Sequence, residues 1–517
     1  MDGAEVRLGE LVAVLSLATD LALGRPLEHE LRTTLLALEL GRRAQLSERE
    51  QQDLYFIALL RYVGCTGHAH EVSQLFGDEI AARSRMDLID VGNPAHVVRE
   101  LVRHAGKDRP LLRRAVVVGR TLAKGRGAAD HLAAGCEIAE SLAERLELEP
   151  AVRIALRFAF ERWDGKGFPS RAKHDQIPVA MRIVHLANDL EILLRVGGPE
   201  VAAETVFARR GAAYDPAIVG VFLSDPVACV AAMDLPSVWD AVIEAEPVPR
   251  RTLRGASLDD ALEVVADFVD LKSPDMAGHS RGVAVLAAAA GEALGFDDMN
   301  LVRLRRAGLL HDLGRTGISN AIWDKPGPLT GAEWERVRLH PYFTSRMLTR
   351  AGSLSDLAGL AADHHERIDG SGYHRQLKGS QIPLPSRVLA AADAYQAMTE
   401  PRRWRSALDP GRAAGELRAM AAAGRLDPEA TNAVLGAAGH RVPKRGDWPA
   451  GLTNKEVEVL RLIARGQGNK QVAATLVISE RTVAHHLQHA YAKIGVRSRG
   501  AAALFAIEHG LLPAMPS

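Results

Sequence analysis

The chain has 517 residues, 47% hydrophobic and 25% charged. At roughly 150 residues per domain this is three to four domains of ordinary globular composition, which excludes a mainly disordered, collagenous or coiled-coil chain. The 64 Lys and Arg balance 64 Asp and Glu, yet Arg441 to Ser517 holds 11 basic against 5 acidic residues. A basic tail on a slightly acidic body points to nucleic-acid binding.

Cys65, Cys136 and Cys229 are odd in number, far apart and without CxxC spacing. That argues against a disulfide framework or zinc ribbon and fits a reducing cytosol. The N-terminal apolar stretch has no basic region before it and is interrupted by Glu10 and Asp20. No signal peptide is expected, no run approaches the ~18 residues of a membrane span, and the expected location is cytoplasmic.

Along the chain, apolar residues recur at three and four rather than at two, as with Leu301, Leu304, Gly308 and His311 on one helical stripe. The expected fold is all-α. Glu246–Arg250 and Arg441–Pro449 carry prolines and charges without an apolar period and look like linkers.

Three blocks of sequence repeat in the same order. RYVGCTG at 61–67 returns as HDLGRTG at 311–317, and His29 and His279 share that offset of 250. ERWDGKGFP at 161–169 and RIVHLANDLEIL at 182–193 return as ERIDGSGYH and RVLAAADAYQAM, now offset by 205. About 45 extra residues therefore lie in the first copy between its first and second blocks. The expected organisation is a helical domain at 1–245, a related one at 256–440 and a small module at 451–517.

The second copy gathers His279, His311, Asp312, His340, His364, His365 and Asp393. Five imidazoles and two carboxylates can fill much of the coordination shell of two metal ions. Neighbours on a helix diverge by roughly 100°, so His-Asp and His-His pairs can serve two ions or straddle a bridging position. A lone buried histidine is more often a hydrogen-bonded core residue than a ligand. Here the first copy replaces the set together: Arg61 and Tyr62 stand for His311 and Asp312, Ala159 and Phe160 for His364 and His365, and Asn188 for Asp393. Only His29 and His131, matched to His279 and His340, persist. The first copy cannot build the same centre. Its retained loop, Asp164 to Pro169, reads as a conserved turn with glycines supplying positive φ.

With GHSRGVA, LLHDLGR, KPGPLT, LHPYF, DHHERIDGSGYH and AADAYQAMT in order between about Leu271 and Ala407, the second copy resembles the HD-GYP phosphohydrolases. The resemblance implies tandem HD-type helical bundles, the first degenerate, and a site that hydrolyses a cyclic dinucleotide such as cyclic di-GMP. It implies two transition-metal ions, Fe or Mn, held by His279, His311, Asp312, His340, His364, His365 and Asp393. Asp312 would bridge the ions and Arg315 would stand beside the scissile phosphate as a charged donor. Such ions activate water for in-line attack and neutralise charge growing on phosphate. The chain departs from the family at His374, where GYP has its proline, and at Asp275, where trinuclear members carry Glu.

From Leu452 four capped helices are expected. Thr453 to Glu456 reads as a capping box, Asn469 and Ser479 as further caps, Gly495 as a stop, and Ser498 as the start of a helix ending at Gly510. The turn at Val477-Ile478 makes a helix-turn-helix, whose second helix can enter the major groove. Its polar side is what any solvated amphipathic helix would show; the basic tail favours DNA. Residues 451–512 closely resemble the LuxR-type helix-turn-helix. The resemblance implies phosphate contacts from Lys470 and Lys493, base or phosphate contacts from Arg481, Thr482 and His485, and a homodimer on duplex DNA. The function expected is a bacterial transcription regulator with a metal-dependent phosphodiesterase domain. The alternative is a regulator that binds nucleotide or metal without turnover.

Overall fold

A computed structural model describes residues 5–512 apart from 88, 91, 106–113, 115–118, 120–124, 443–447 and 510. Gly510 and most of the second expected linker lie outside the described residues. The first copy opens with strand β1 (Val6–Arg7) and helices α1 (Leu8–Leu23), α2 (His29–Arg43) and α3 (Glu48–Leu60). After a short 3₁₀ turn at Val63–His68 come α4 (Ala69–Phe76), α5 (Glu79–Met86), α6 (Gly125–Arg145) and α7 (Val179–Ala208), the last broken at Gly198 ahead of Pro199. The second copy opens with β2 (Thr252–Leu253), α8 (Gly255–Asp270), α9 (His279–Ala293) and α10 (Asp298–Leu310). It continues with the one-turn α11 (Asn320–Trp323), then α12 (His340–Arg350), α13 (Ser355–Ala362) and α14 (Leu384–Thr399).

The repeat holds at the level of helix ends. α9 and α10 begin and end 250 residues after α2 and α3, and α14 begins 205 after α7. Local sequence sets the starts. Ser47 and Glu50 form a capping box on α3, and Asp297 accepts from Asn300 N (2.8 Å) to cap α10.

One expectation about the repeat is corrected. A side chain at Gly64 would collide with Gly135 O (1.8 Å), and one at Gly314 with His340 O (2.1 Å). These are the same helix crossing, so Gly135 and not His131 is the counterpart of His340. The 205 offset already holds there, and the extra residues end before it. His131 instead packs beside His68, ring centroids 5.6 Å apart. Only His29 of the ligand set has a counterpart histidine.

The apolar side chains of both copies form one continuous core. β1 pairs antiparallel with β2, Val6 opposite Leu253. α1 packs on the second copy's 313–317 turn and on α12, while α8 packs on the first copy's 63–68 turn and on α6. α1 is therefore buried on nearly every face, which explains its almost wholly apolar sequence. The first expected linker is partly built into this joint: Glu246 is buried and accepts from Gly9 N at 2.7 Å.

The C-terminal module has its own core and consists of α15 (Asn454–Ala464), α16 (Asn469–Leu476), α17 (Glu480–Ile494) and α18 (Arg499–Glu508). The Thr453–Glu456 capping box forms, and Ser479 and Ser498 cap α17 and α18. Gly468 rather than Asn469 is the N-cap of α16, and Val477 takes the left-handed turn conformation (φ 52°). Among the described residues no helix is long and apolar enough to cross a membrane.

Candidate metal centre and DNA-binding surface

The seven residues singled out in the second copy converge. His279 begins α9, His311 and Asp312 follow α10, His340 begins α12, His364 and His365 follow α13, and Asp393 lies in α14. His340, His364 and His365 form one close group of donor atoms, and His279, His311 and Asp312 another. Asp312 Oδ1 joins the groups, 3.5 Å from His340 Nε2 and 3.7 Å from His364 Nε2. Asp393 lies 3.4 Å from His279 Nε2, 3.9 Å from His311 Nε2 and 3.8 Å from His365 Nδ1.

Backbone carbonyls fix three of the imidazoles. Nδ1 of His311 donates to Gly308 O (2.7 Å), that of His340 to Val337 O (2.6 Å) and that of His364 to Ala361 O (2.7 Å). In each the carbonyl three residues back selects the tautomer and turns the Nε2 lone pair inward. His311 Nε2 is buried without a hydrogen-bond partner. His340 Nε2 and His364 Nε2 face each other at 3.1 Å. Burial pushes His340 down to about 4 and His364 to about 3, so neither carries a second proton at neutral pH. Facing lone pairs and an orphaned imidazole nitrogen in a dry interior fit a bound cation.

The carboxylates match. Burial alone would raise Asp312, but His311, Arg315, His340 and His364 outweigh it and hold it well below the usual range. Asp393 is likewise held low against burial, chiefly by its bond from His279. For His279, burial lowers the pKa, but Asp393 and Glu400 push it up to about 10. A cation at its Nε2 must therefore displace a proton.

Arg315 Nη1 lies 3.3 Å from Asp312 Oδ2, and its guanidinium stacks 4.0 Å over the Trp323 ring. Asp275 is paired with Arg403 (3.3 Å). Beside His365 a cleft of 380 Å³ is lined by Trp334, Arg367, Asp369, Tyr373 and Arg425 among others, so two guanidiniums face it against one carboxylate. The GYH loop beside it is held by Glu366, which accepts from Arg375 N (2.7 Å) and Leu377 N (2.8 Å).

Sequence reasoning missed two partners of the centre. Glu400 holds Nδ1 of His279 at 2.8 Å. It falls seven residues after Asp393, about two turns along and just past the end of α14 at Thr399, and that spacing was a usable signal. Trp323 had no such signal, because stacking depends on the tertiary path of α11.

On the C-terminal module Lys470, Arg481 and His485 are exposed and Thr482 is half-buried, its hydroxyl 2.7 Å from Ser479 Oγ. Lys493 is exposed on α17, but its ammonium reaches back to Glu456 Oε2 at 2.7 Å.

The HD domain family matches residues 124–218 and 263–430, more than half of the chain. The chain belongs to the HD-domain family. The match falls on both copies, as the repeat requires. The family of bacterial regulatory proteins, luxR family, matches residues 450–506. A 3'3'-cGAMP-specific phosphodiesterase 3 from Vibrio cholerae serotype O1 is 32% identical over 406 residues, 78% of this chain and 88% of the relative. A cyclic di-GMP phosphodiesterase from Thermotoga maritima is 33% identical over 181 residues, 34% of this chain and 49% of the relative. The crystal structure of a cyclic GMP-AMP specific phosphodiesterase of V. cholerae, V-cGAP3, has 28% identity and a TM-score of 0.59, covering 85% of this chain and 99% of that one. This HD-domain protein thus joins an HD phosphodiesterase domain, homologous to cyclic dinucleotide phosphodiesterases, to a LuxR-type DNA-binding regulator domain. HD-domain phosphodiesterases are metal-dependent, and the donor groups described above are candidates for that metal.

Proposed function

We propose that the second copy hydrolyses a cyclic dinucleotide and that the whole chain is a cytoplasmic regulator acting as a homodimer on DNA. The observation that carries the enzymatic reading is the inward set of lone pairs from His311, His340 and His364 around Asp312. His279, His311, Asp312, His340, His364, His365 and Asp393 would hold two transition-metal ions, Fe or Mn. When bound, such ions supply Lewis-acid stabilisation of phosphate charge and activation of water.

This chain's own residues do the rest. Arg315 directs a charged donor toward a phosphate oxygen beside Asp312. Arg367 and Arg425 draw an anionic ligand into the cleft. Glu400 keeps His279 Nδ1 engaged, which aims its Nε2 at the centre. Of the cyclic dinucleotides, 3'3'-cGAMP is the first candidate, because the relative that spans both copies is specific for it. In the C-terminal module Lys470, Arg481, Thr482 and His485 would meet DNA, with Lys493 contributing less because Glu456 already neutralises it.

The test is a product assay. Mn- or Fe-loaded full-length protein should convert 3'3'-cGAMP or cyclic di-GMP to linear dinucleotide or mononucleotides, and Asp312→Ala should not. Intact substrate after prolonged incubation with well-loaded protein would leave a binding-only regulator.

A further inference from the structure

We infer that Glu79, supplied by the first copy, is a positioning residue for Arg315 at the second copy's centre. The inference rests on the phosphodiesterase reading above, and it assigns a task to the degenerate copy's extra segment.

Glu79 begins α5, within that segment, and is fully buried. Its carboxylate faces the other copy. Oε1 accepts from Lys272 Nζ (3.1 Å) and Asn320 N (2.9 Å), and Oε2 from Ser319 Oγ (2.6 Å). Asn320 Nδ2 in turn donates to Lys272 O at 2.6 Å. Ser319 caps α11 and Asn320 begins it, and the four-residue helix ends at Trp323. The extra segment pins that far end as well: His70 Nδ1 lies 2.7 Å from Asp324 Oδ2, and Asp324 Oδ1 accepts from Ser273 Oγ at 3.1 Å.

A single helical turn cannot hold its own conformation, because nucleation costs more than one turn returns. The orientation of α11 therefore comes from what grips its ends, and both grips include side chains of the first copy. What α11 presents is Trp323, whose ring carries the Arg315 guanidinium at 4.0 Å and meets the His340 ring at 5.4 Å. Arg315 touches Asp312 and the Trp323 ring at once; without the indole it would keep only the Asp312 contact and, beside bound cations, swing away. The indole face tolerates a cation and keeps the guanidinium within reach of phosphate. Loosening Glu79 frees α11, moves the indole and releases Arg315, while every proposed metal ligand keeps its side chain and His340 keeps its bond to Val337 O.

The test is a double-mutant cycle in full-length, Mn-loaded protein with Glu79→Gln, Arg315→Ala and the pair. Two quantities are read: kcat and KM for bis(p-nitrophenyl) phosphate, and binding of inorganic phosphate by calorimetry. Metal content and Tm are measured alongside. In the wild-type background Glu79→Gln should lower kcat about tenfold and weaken phosphate about fivefold, with metal content unchanged. In the Arg315→Ala background it should change neither by more than about twofold. Equal losses in both backgrounds, or no loss in the wild type, would overturn the inference. Trp323→Leu leaves Glu79 and its buried bonds in place. It should couple to Arg315 in the same way, and additivity there would overturn the inference even if Glu79→Gln fails to fold. A coupled phosphate cycle in a protein that hydrolyses nothing would sink the phosphodiesterase reading and leave the positioning intact. Hydrolysis with an additive cycle would do the reverse.

Discussion

Arg61, at the position of His311, sends its guanidinium to Ala159 O (3.1 Å) and Val184 O (3.3 Å), across the space that the candidate metal ligands line in the other copy. Tyr62 lies between Arg25 (4.1 Å) and Arg61 (4.6 Å), and Asn188 bonds His29 at 3.1 Å. Permanent cations and an aromatic ring fill the first copy's site. Tyr62→Ala should therefore cost stability, roughly 3–5 kcal/mol by large-to-small truncation, without lowering kcat of the folded fraction. A urea titration beside a turnover assay checks both.

His185 gives a pH prediction. Burial, then Arg61, pushes its pKa from the ordinary 6.5 down to about 3. Between those values the unfolded chain binds a proton that the folded chain refuses, so stability falls as pH drops from about 6.5 toward 3. At about 1.4 kcal/mol per unit, the loss from pH 7 to pH 5 is about 2 kcal/mol for this residue. Urea midpoints should fall less over that range in His185→Gln, and an identical slope would contradict the assignment. At this scale the sequence was legible wherever the repeat offset was secure. It failed at His131, because the insertion's far end cannot be located from motifs alone and only the crossing at Gly64 and Gly135 reveals it.

Elements show where local chemistry was sufficient. The first copy's retained loop reads from sequence as a turn needing positive φ, which Gly165 (φ 73°) supplies there and Gly370 (φ 83°) supplies in the second copy. Gly167 and Gly372 are required for a different reason. A Cβ at Gly167 would stand 2.4 Å from Glu161 Cα, and one at Gly372 2.4 Å from Arg367 N, so the loop lies flat on its own base. Sequence could not separate the two roles, because both select glycine. The C-terminal helices were legible nearly to the residue through their caps, but the Lys493–Glu456 pair was not, since it joins α17 to α15 across the tertiary fold. That pair divides the proposed DNA contacts. Lys470→Ala, and Arg481→Ala with its contact taken as one to phosphate rather than to a base, should each reduce the slope of log affinity against log salt by about 0.9. Lys493→Ala should reduce it by less. Thr482 and His485 variants should change base preference by ~1–3 kcal/mol at one position. Anisotropy titrations at several salt concentrations read all of these, and equal slopes for Lys493→Ala and Arg481→Ala would remove the distinction.

Across the whole molecule, the tandem copies were visible in sequence and their fusion was not. The mostly apolar α1 reads in isolation as an ordinary buried helix. Only the fold shows that it serves both copies, with Glu10 accepting from Ser353 Oγ (2.7 Å) of the second. Residues 5–442 should unfold as one cooperative unit, because they share a core. Leu15→Ala in α1 should lower that single transition, by ~2–5 kcal/mol, and separate transitions for the two copies would contradict the shared core. The extra segment of the first copy was located by arithmetic, but its grip on α11 has no sequence signature.

That the second copy, and not the first, holds metal is tested most directly by metal analysis of full-length protein. Wild-type protein should carry about two transition-metal ions per chain, as two-metal chemistry requires. His311→Ala with Asp312→Ala should remove them, and Arg61→Ala should leave the count unchanged. Well-folded wild-type protein that holds none after exposure to Fe or Mn, or that loses them on substitution of Arg61 but not of Asp312, would contradict the account.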